Sequence, residues 1–235
     1  MKIEIWSDIV CPFCYIGKRK LERALSKFPH QNFIEIEWKS FQLNPDEKTN
    51  PSISTIENLA KNKGWSMTQA NEAVSYVKNM AAQEGLVFNY DKTVVANTKN
   101  GHRLIHLAQQ QGKGDQMKER LLQAYFTDGL NIDDANTLAA LGKEVGLDEK
   151  TILEMLSSNQ LFEDVEKDIY ESRLIGVSGV PFFVFDRKFG ISGAQPDEVF
   201  DQTLEKAWSE YSKENNPIIM NSADSGDSCD MEGNC

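Results

Sequence analysis

Two cysteines near the start of the chain have the spacing and the surroundings of a reactive dithiol. Cys11 and Cys14 are separated by Pro12 and Phe13 in the segment IWSDIVCPFCYIGKRKLERAL, residues 5–25. An apolar, strand-like run precedes the pair, and an amphipathic helical pattern follows it. The cysteines therefore lie where a strand passes into the N-terminus of a helix. A C-x2-C pair in that place is a redox dithiol, half of a metal site, or a structural pair.

The helix N-terminus favours the redox interpretation, because its unpaired amides carry roughly half an elementary positive charge. That charge lowers the pKa of a cysteine thiol from about 8.5 to about 3.5–7.5. We predict that Cys11 attacks a substrate disulfide, and that Cys14, one turn further on and less exposed, resolves the mixed disulfide. Pro12 is tolerated in the first turn, since its missing N–H has no helical partner there. We expect Phe13 at the surface, beside the substrate.

The elements around the dithiol are short strands and helices. Residues 1–43 read as strand, helix and strand, because KIEIWSD and NFIEIEWKSFQLN alternate apolar and polar residues on either side of the helical run. Residues 44–160 read as an α-helical insertion, with one short strand at Val87–Phe88. Residues 161–213 read as a helix, two strands joined by a tight turn at Asp186–Arg187, and a final helix. The pattern predicts a small α/β sheet interrupted by a helical subdomain.

A proline at the start of a predicted strand is the second feature of interest. The segment GVSGVPFFVF places Pro181 after Val180, and a proline cannot donate to a sheet ladder. The predicted topology brings this residue across from the C-x2-C turn. A cis bond there would leave the backbone of Val180 free to pair with an extended substrate, although cis is the minority state of such bonds.

Together these motifs resemble the DsbA-like branch of the thioredoxin superfamily. SDIVCPFCYIGK and NTKNGHRL are similar to segments of its cytosolic FrnE-like group, and the resemblance covers about residues 1–212. It implies a thioredoxin-like fold with a large α-helical insertion and a cis bond at Pro181. It also implies thiol–disulfide oxidoreductase or isomerase activity, and His102 and Arg103 as residues of a substrate groove. No cofactor is expected, because the dithiol is itself the redox group. The expected partners are proteins bearing thiols or disulfides, with glutathione as a candidate co-substrate.

Two other functions stay open at this stage. Kappa-type glutathione transferases and hydroxychromene-carboxylate isomerases resemble the same frame, but typically carry serine at the position of Cys11. A holdase-like protein that binds unfolded chains through the helical subdomain is the other alternative. The presence of both Cys11 and Cys14 favours redox chemistry over these two.

The last residues, 214–235, are polar, small and acidic, and predict a flexible tail. Cys229 and Cys235 lie there in a C-x5-C pattern. From Lys213 to Cys229 is 229 − 213 = 16 residues, and a flexible chain of that length spans roughly 20–25 Å. We hypothesise that this pair exchanges with the active-site disulfide as a relay or regulator. One alternative is that the two are exposed thiols without a function. The other is a four-cysteine zinc site, which is disfavoured because a chain with a large apolar core needs no structural metal.

Composition limits the function further. The net charge of −11 argues against binding of nucleic acid or an anionic membrane surface. No run of about 18 apolar residues and no signal peptide is present in the sequence, which predicts a cytoplasmic protein. His102 and His106 have the four-residue spacing of a metal-binding helix face, but they lack an obvious third ligand. We therefore predict hydrogen-bonded roles for both histidines and no metal.

Overall fold

The computed structural model describes residues 1–215 of the 235-residue chain. Six strands lie within these residues: β1 (Lys2–Ser7), β2 (Glu35–Ser40), β3 (Asn50–Ser54), β4 (Val94–Val95), β5 (Phe182–Phe185) and β6 (Phe189–Ser192). The α-helices are α1 (Pro12–Lys27), α2 (Thr55–Lys63), α3 (Met67–Gln83), α4 (Lys99–Gln109), α5 (Gly114–Gln123), α6 (Ala135–Glu144), α7 (Glu149–Ser157), α8 (Phe162–Leu174) and α9 (Asp197–Asn215). The result is the predicted thioredoxin-like α/β fold with a large helical insertion.

The central sheet joins the two ends of the described chain. Its strand order is β2-β1-β5-β6. β1 is parallel to β2 and antiparallel to β5, and β5 forms a hairpin with β6. The hairpin turns at Asp186 and Arg187, which both have positive φ as a two-residue hairpin turn requires. β1, which leads into the dithiol, is therefore a central strand held on both sides.

The alternating residues of β1 face two different layers of helices. Ile3 and Ile5 are fully buried and pair in register with Phe185 and Phe183. The ring of Phe183 meets that of Phe200 on α9 edge-on, at 5.0 Å between centroids. On the other face, Trp6 donates its indole N–H to the backbone carbonyl of Asp168 on α8, at 2.9 Å. Helix α1 and the loop before it are thus fixed to a strand that is covered on both faces.

The inserted helices α2–α7 lie within residues 44–160, together with a small two-stranded sheet that the sequence does not predict. β3 pairs antiparallel with β4, and the hydroxyl of Thr93 donates to that of Thr55 beside it. β3 escapes prediction because its residues are polar or exposed and show no apolar alternation. The strand predicted at Val87–Phe88 is wrong: Phe88 instead stacks on the ring of Phe126, with 4.3 Å between centroids. The division of the chain at residues 43 and 160 stays a prediction.

The start of α2 is fixed by a capping box. The helix begins at Thr55, because Ser54 and Glu57 form a capping box in which each side chain accepts from the other's backbone amide. Residues 50–54 are thereby left extended to form β3. Within the described part of the chain, none of the helices has the length and apolar character needed to cross a membrane.

Candidate active site

The dithiol sits at the N-terminus of α1. Cys11 is the N-cap residue and has extended backbone geometry, and Pro12 occupies the first helical position. The amide of Cys14 donates to the carbonyl of Cys11 at 3.0 Å. The two sulfurs are free thiols. The side chains of both cysteines are buried, at 3% and 1% exposed, so the predicted contrast in exposure between them is very small.

The loop before β5 lies against Cys11. The bond between Val180 and Pro181 is cis, as the family resemblance implies. The Cys11 thiol donates to the carbonyl of Val180, with 3.4 Å between sulfur and oxygen. The structure thus brings three of the predicted site residues together, although the Val180 carbonyl is occupied by the thiol here. Phe13 is 36% exposed and lies at the surface beside them.

Gly17, which the sequence analysis passes over, lets this loop approach α1. A Cβ at that position would lie 3.0 Å from the Phe183 ring and 3.1 Å from the Pro181 ring. Both distances are shorter than ordinary van der Waals contact, so only glycine fits without displacement. The segment YIGK after the dithiol carries the signal, since a glycine inside a helix usually has a packing reason.

Asp8 anchors the turn between β1 and the dithiol. One carboxylate oxygen accepts from the amide of Ile9 at 2.8 Å, and the other accepts from the amide of Leu43 at 2.8 Å. His102 lies 3.2 Å from the first of these oxygens. Burial by itself would raise the pKa of Asp8, but its hydrogen bonds to His102 and to Leu43 lower it. Asp8 is therefore an ionised turn residue beneath the active site.

His102 is a correction to the predicted groove contact. Its side chain is 1% exposed and faces Asp8, because α4 is packed in the core of the insertion. Burial lowers the pKa of His102 even though Asp8 opposes that effect. The arrangement is a neutral imidazole against a carboxylate. Arg103 is likewise buried and donates to backbone carbonyls of residues 155–160, so it too lies away from the groove.

The two histidines of α4 have no hydrogen-bonding partner in common. His106 lies 3.0 Å from the hydroxyl of Ser40 and 3.1 Å from a carboxylate oxygen of Asp168. Each histidine thus has its own hydrogen-bonding partners. Among residues 1–215, no group of three or more histidine, cysteine or carboxylate side chains has metal-site geometry. Cys229 and Cys235, and with them the predicted relay and the four-cysteine zinc alternative, lie outside the described residues.

A buried lysine beneath the dithiol is the main site residue that sequence reasoning misses. Lys118 on α5 is 1% exposed, donates to the carbonyl of Ser7 at 3.3 Å, and lies 5.3 Å from the centre of the Trp38 ring. Burial lowers the pKa of Lys118 to about 8, against the attraction of Cys14 and Asp8. The sequence does carry a signal for the burial of this lysine. Lys118 precedes Leu121 and Leu122 by three and four residues, which places it on the apolar face of the helix.

The two thiols share one buried site, and their pKa values move in opposite directions. Interaction with the Cys14 thiol and burial raise the pKa of Cys11. Burial would also raise the pKa of Cys14, but interaction with the Cys11 thiol and the positive charge of Lys118 lower it. This order is the reverse of the one expected from the helix N-terminus alone. The reason is that the Cys11 thiol and the Lys118 charge both favour the thiolate form of Cys14. When one thiol of the reduced pair ionises, the inner sulfur is therefore the favoured site of the charge.

A cleft of about 480 Å³ opens between this site and the inserted helices. Asp8 and Val10, just before the dithiol, line one side of it, and Thr55 and Asn58 of α2 line the other. Across the cleft, Glu47 accepts from the side-chain amides of Asn58 and two further asparagines. The cleft thus has a mixed polar and apolar lining, and the helical insertion forms its outer wall.

A C-x2-C pair at the start of the first helix, in contact with a cis-proline loop at one end of a four-stranded sheet, defines the thioredoxin-fold class. Within that class the chain belongs to the family of DsbA-like thioredoxin domains, which are thiol–disulfide oxidoreductases, and the family's sequence profile matches residues 2–205. The chain is 29% identical over 207 residues to the uncharacterized protein YwbO of Bacillus subtilis (strain 168), covering 86% of this chain and 94% of YwbO.

Solved structures extend the comparison. A probable DsbA oxidoreductase of Streptomyces coelicolor, SCO1869, is 34% identical, with a TM-score of 0.84 over 99% of this chain and 97% of that one. The cytosolic disulfide reductase DsbM of Pseudomonas aeruginosa is 16% identical, with a TM-score of 0.65 over 89% and 100%. A 2-hydroxychromene-2-carboxylate isomerase is 17% identical, with a TM-score of 0.64 over 92% and 98%. The last two likenesses show the fold alone.

Proposed function

We propose that this protein is a cytoplasmic thiol–disulfide oxidoreductase whose redox group is the Cys11–Cys14 dithiol. The observation that carries the proposal is the placement of the two sulfurs. Cys11 lies at the helix N-terminus against the Val180 carbonyl, beside exposed Phe13, whereas Cys14 lies behind it toward Ser7 and the buried interior. This arrangement supports Cys11 as the sulfur that attacks the substrate and Cys14 as the sulfur that resolves the mixed disulfide.

The reductive half-reaction begins with transfer of the Cys11 proton to the Cys14 thiolate. The Cys11 thiolate attacks one sulfur of the substrate disulfide, that disulfide breaks, and the other substrate sulfur leaves as a thiolate that takes up a proton. Cys14 then loses its proton and attacks Cys11 in the mixed disulfide. The Cys11–Cys14 disulfide forms, and the second substrate thiolate is released. The substrate gains two electrons, and the protein dithiol loses two.

The substrate class is a protein thiol or disulfide, with glutathione as a candidate co-substrate. Two features support this choice: the exposed ring of Phe13, which offers an apolar contact to a polypeptide, and the cleft of mixed polar and apolar lining beside Val10. DsbM, which shares the fold, has also been crystallised with glutathione. Net oxidation, net reduction and isomerisation use the same steps, and the potential of the dithiol decides among them.

Trapping of the mixed disulfide tests the proposal. Cys14→Ser leaves Cys11 able to attack but removes the resolving thiol, so a reduced protein offered a disulfide-bearing protein should accumulate a covalent adduct. We expect peptide mass mapping to place the adduct on Cys11. The matched control is Cys11→Ser, which should form none at this site. An adduct that forms equally in both variants, or on neither cysteine, contradicts the proposal.

Exchange with the tail pair is proposed as a separate step. One tail thiolate, of Cys229 or Cys235, would attack Cys11, which forms a mixed disulfide and releases Cys14 as a thiolate. The other tail thiolate would then attack the tail sulfur of that mixed disulfide, which forms the Cys229–Cys235 disulfide and releases Cys11. Replacement of both tail cysteines by serine should then change turnover and the reduction potential. An unchanged turnover together with an unchanged reduction potential would contradict the relay.

A glutathione-dependent isomerase or transferase is the second candidate, and the observation favouring it is the fold shared with the 2-hydroxychromene-2-carboxylate isomerase. The likeness to that enzyme is as strong as the likeness to DsbM, so the backbone does not separate the two functions. This candidate predicts an activity on small aromatic substrates that requires added glutathione and survives Cys14→Ser. The oxidoreductase proposal predicts that Cys14→Ser abolishes turnover.

A further inference from the structure

The inner sulfur of the dithiol faces a group of polar atoms that the mechanism above does not use. Ser7, the last residue of β1, is fully buried, and its carbonyl oxygen accepts from the Lys118 ammonium at 3.3 Å. Its hydroxyl is buried without a hydrogen-bond partner, and its interaction with Cys14 lowers the pKa of that thiol. A buried hydroxyl without a partner costs free energy. A thiolate at Cys14 would supply the missing acceptor.

Lys118 has few alternative partners for its charge. It is 1% exposed, and the groups that face it come from three packed segments. Cys11, Cys14 and Lys18 belong to α1, and Asp8 belongs to the turn after β1. From α4, His102 faces the same centre and is neutral, as argued above.

The carboxylate of Asp8 is already committed to two backbone amides and to His102. Lys18 is a cation and repels Lys118, but its own charge is matched by Glu22, Asp115 and Glu119. The remaining anion available to Lys118 is a thiolate of the dithiol.

Resting on the proposed function, we propose that Lys118 and Ser7 form a thiolate-holding site for Cys14. The ammonium supplies the charge, and the hydroxyl supplies a hydrogen bond to the inner sulfur. Lys118 comes from the helical insertion, so the insertion takes part in the redox site and does more than form the wall of the cleft. Both residues are positioning residues that act through Cys14.

The site has a defined place in the reaction sequence. When a substrate thiolate attacks Cys11 of the oxidised protein, a mixed disulfide forms, the Cys11–Cys14 bond breaks and Cys14 leaves with the electron pair. A leaving thiolate that is held by an ammonium leaves faster, because the rate rises as its pKa falls. In the reverse direction the same charge favours the loss of the Cys14 proton that precedes its attack on the mixed disulfide.

Titration of Cys14 alone tests the site. The parent for this experiment is the full chain carrying Cys11→Ser, Cys229→Ser and Cys235→Ser, in which Cys14 is the only thiol. Its ionisation is followed by thiolate absorbance against pH. We expect Lys118→Met to raise the midpoint by at least about one unit. Lys118→Arg, which keeps the charge, should restore most of the shift, and Ser7→Ala should raise the midpoint by a smaller amount.

Lys18→Met is the matched control, because Lys18 is a buried lysine on α1, 3% exposed, whose charge is matched by carboxylates. It should move the midpoint much less than Lys118→Met does. A midpoint that stays within about 0.3 units in folded Lys118→Met overturns the proposal. If Lys118→Met does not fold, an unchanged midpoint in Ser7→Ala overturns it instead. The titration requires no turnover, so it succeeds or fails independently of the oxidoreductase function.

Discussion

The Cys11 sulfur lies 3.4 Å from the carbonyl oxygen of Val180, across 169 positions of sequence. This contact joins the N-terminus of α1 to the loop before β5, and it depends on β1 and β5 being neighbours in the sheet. The reactive end of the molecule is therefore assembled from the two ends of the described fold. The helices between them add Lys118 from beneath and the outer wall of the cleft.

Protonation of His102 should weaken the fold as the pH falls. Burial holds its folded-state pKa below the ordinary value of 6.5, so the unfolded chain binds a proton that the folded chain does not. Stability is therefore lost from about pH 6.5 downward, by up to about 1.4 kcal/mol per pH unit, until the folded pKa is reached. His102→Gln keeps a donor for Asp8 and should flatten this slope. Urea unfolding at pH 7 and pH 5 measures it, and equal slopes in the two proteins would contradict the prediction.

Replacement of Lys118 should stabilise the fold at neutral pH. Its folded pKa of about 8 is below the ordinary 10.5, so the unfolded state holds more protons between these values and stability rises with pH across that window. In the oxidised protein, in which Cys14 is held in the disulfide and cannot be a thiolate, Lys118→Met removes a buried charge that has no thiolate partner and should raise the free energy of unfolding at pH 7 by about 1–3 kcal/mol. The gain should shrink toward pH 10. A Lys118→Met protein that is less stable at pH 7, by chemical denaturation, would count against the buried-charge account.

A larger residue at Gly17 should disturb the loop that carries Pro181. Gly17→Val places carbon atoms where the Phe183 and Pro181 rings lie, and overpacking of this kind costs about 1–3 kcal/mol. The control is Gly179→Val in the same loop, where a Cβ would meet nothing within 4 Å. Denaturant unfolding and turnover should both fall for Gly17→Val and change little for the control. Equal effects of the two substitutions would remove Gly17 from the site.

The exposed ring beside the dithiol should contribute to substrate binding and not to stability. Phe13→Ala should change the free energy of unfolding by less than about 0.5 kcal/mol, because the side chain is 36% exposed. It should lower kcat/KM for a disulfide-bearing protein about three- to tenfold, through the loss of about 1 kcal/mol of apolar contact. Trp65→Ala, at 41% exposed on a distant turn, is the control and should leave kcat/KM unchanged. Equal losses in kcat/KM from the two substitutions would contradict a specific role of Phe13 in substrate binding.

Local sequence signals predicted the parts of this molecule that local forces determine. Alternation placed Ile3 and Ile5 on the buried face of β1, and the Asp186–Arg187 turn is where the pattern put it. The sequence did not predict β3, because a short polar strand shows no hydrophobic periodicity and forms by pairing with β4.

Lys118 and Ser7 could not be predicted together, since 111 positions separate two residues that meet only after the insertion has packed. The family resemblance led us to expect His102 in the groove. The spacing of residues did not reveal that its buried neighbour would be Asp8. The relative pKa order of the two thiols was missed for the same reason: the charge that sets it comes from another helix.

The most direct test of the account is a redox titration in glutathione buffers, with alkylation and peptide mapping of all four cysteines. The account predicts that Cys11 and Cys14 titrate together as one two-electron couple, at a potential between about −120 and −270 mV. If Cys11 and Cys14 remain thiols throughout that range, or titrate separately, the dithiol is not the redox group and the central claim is wrong.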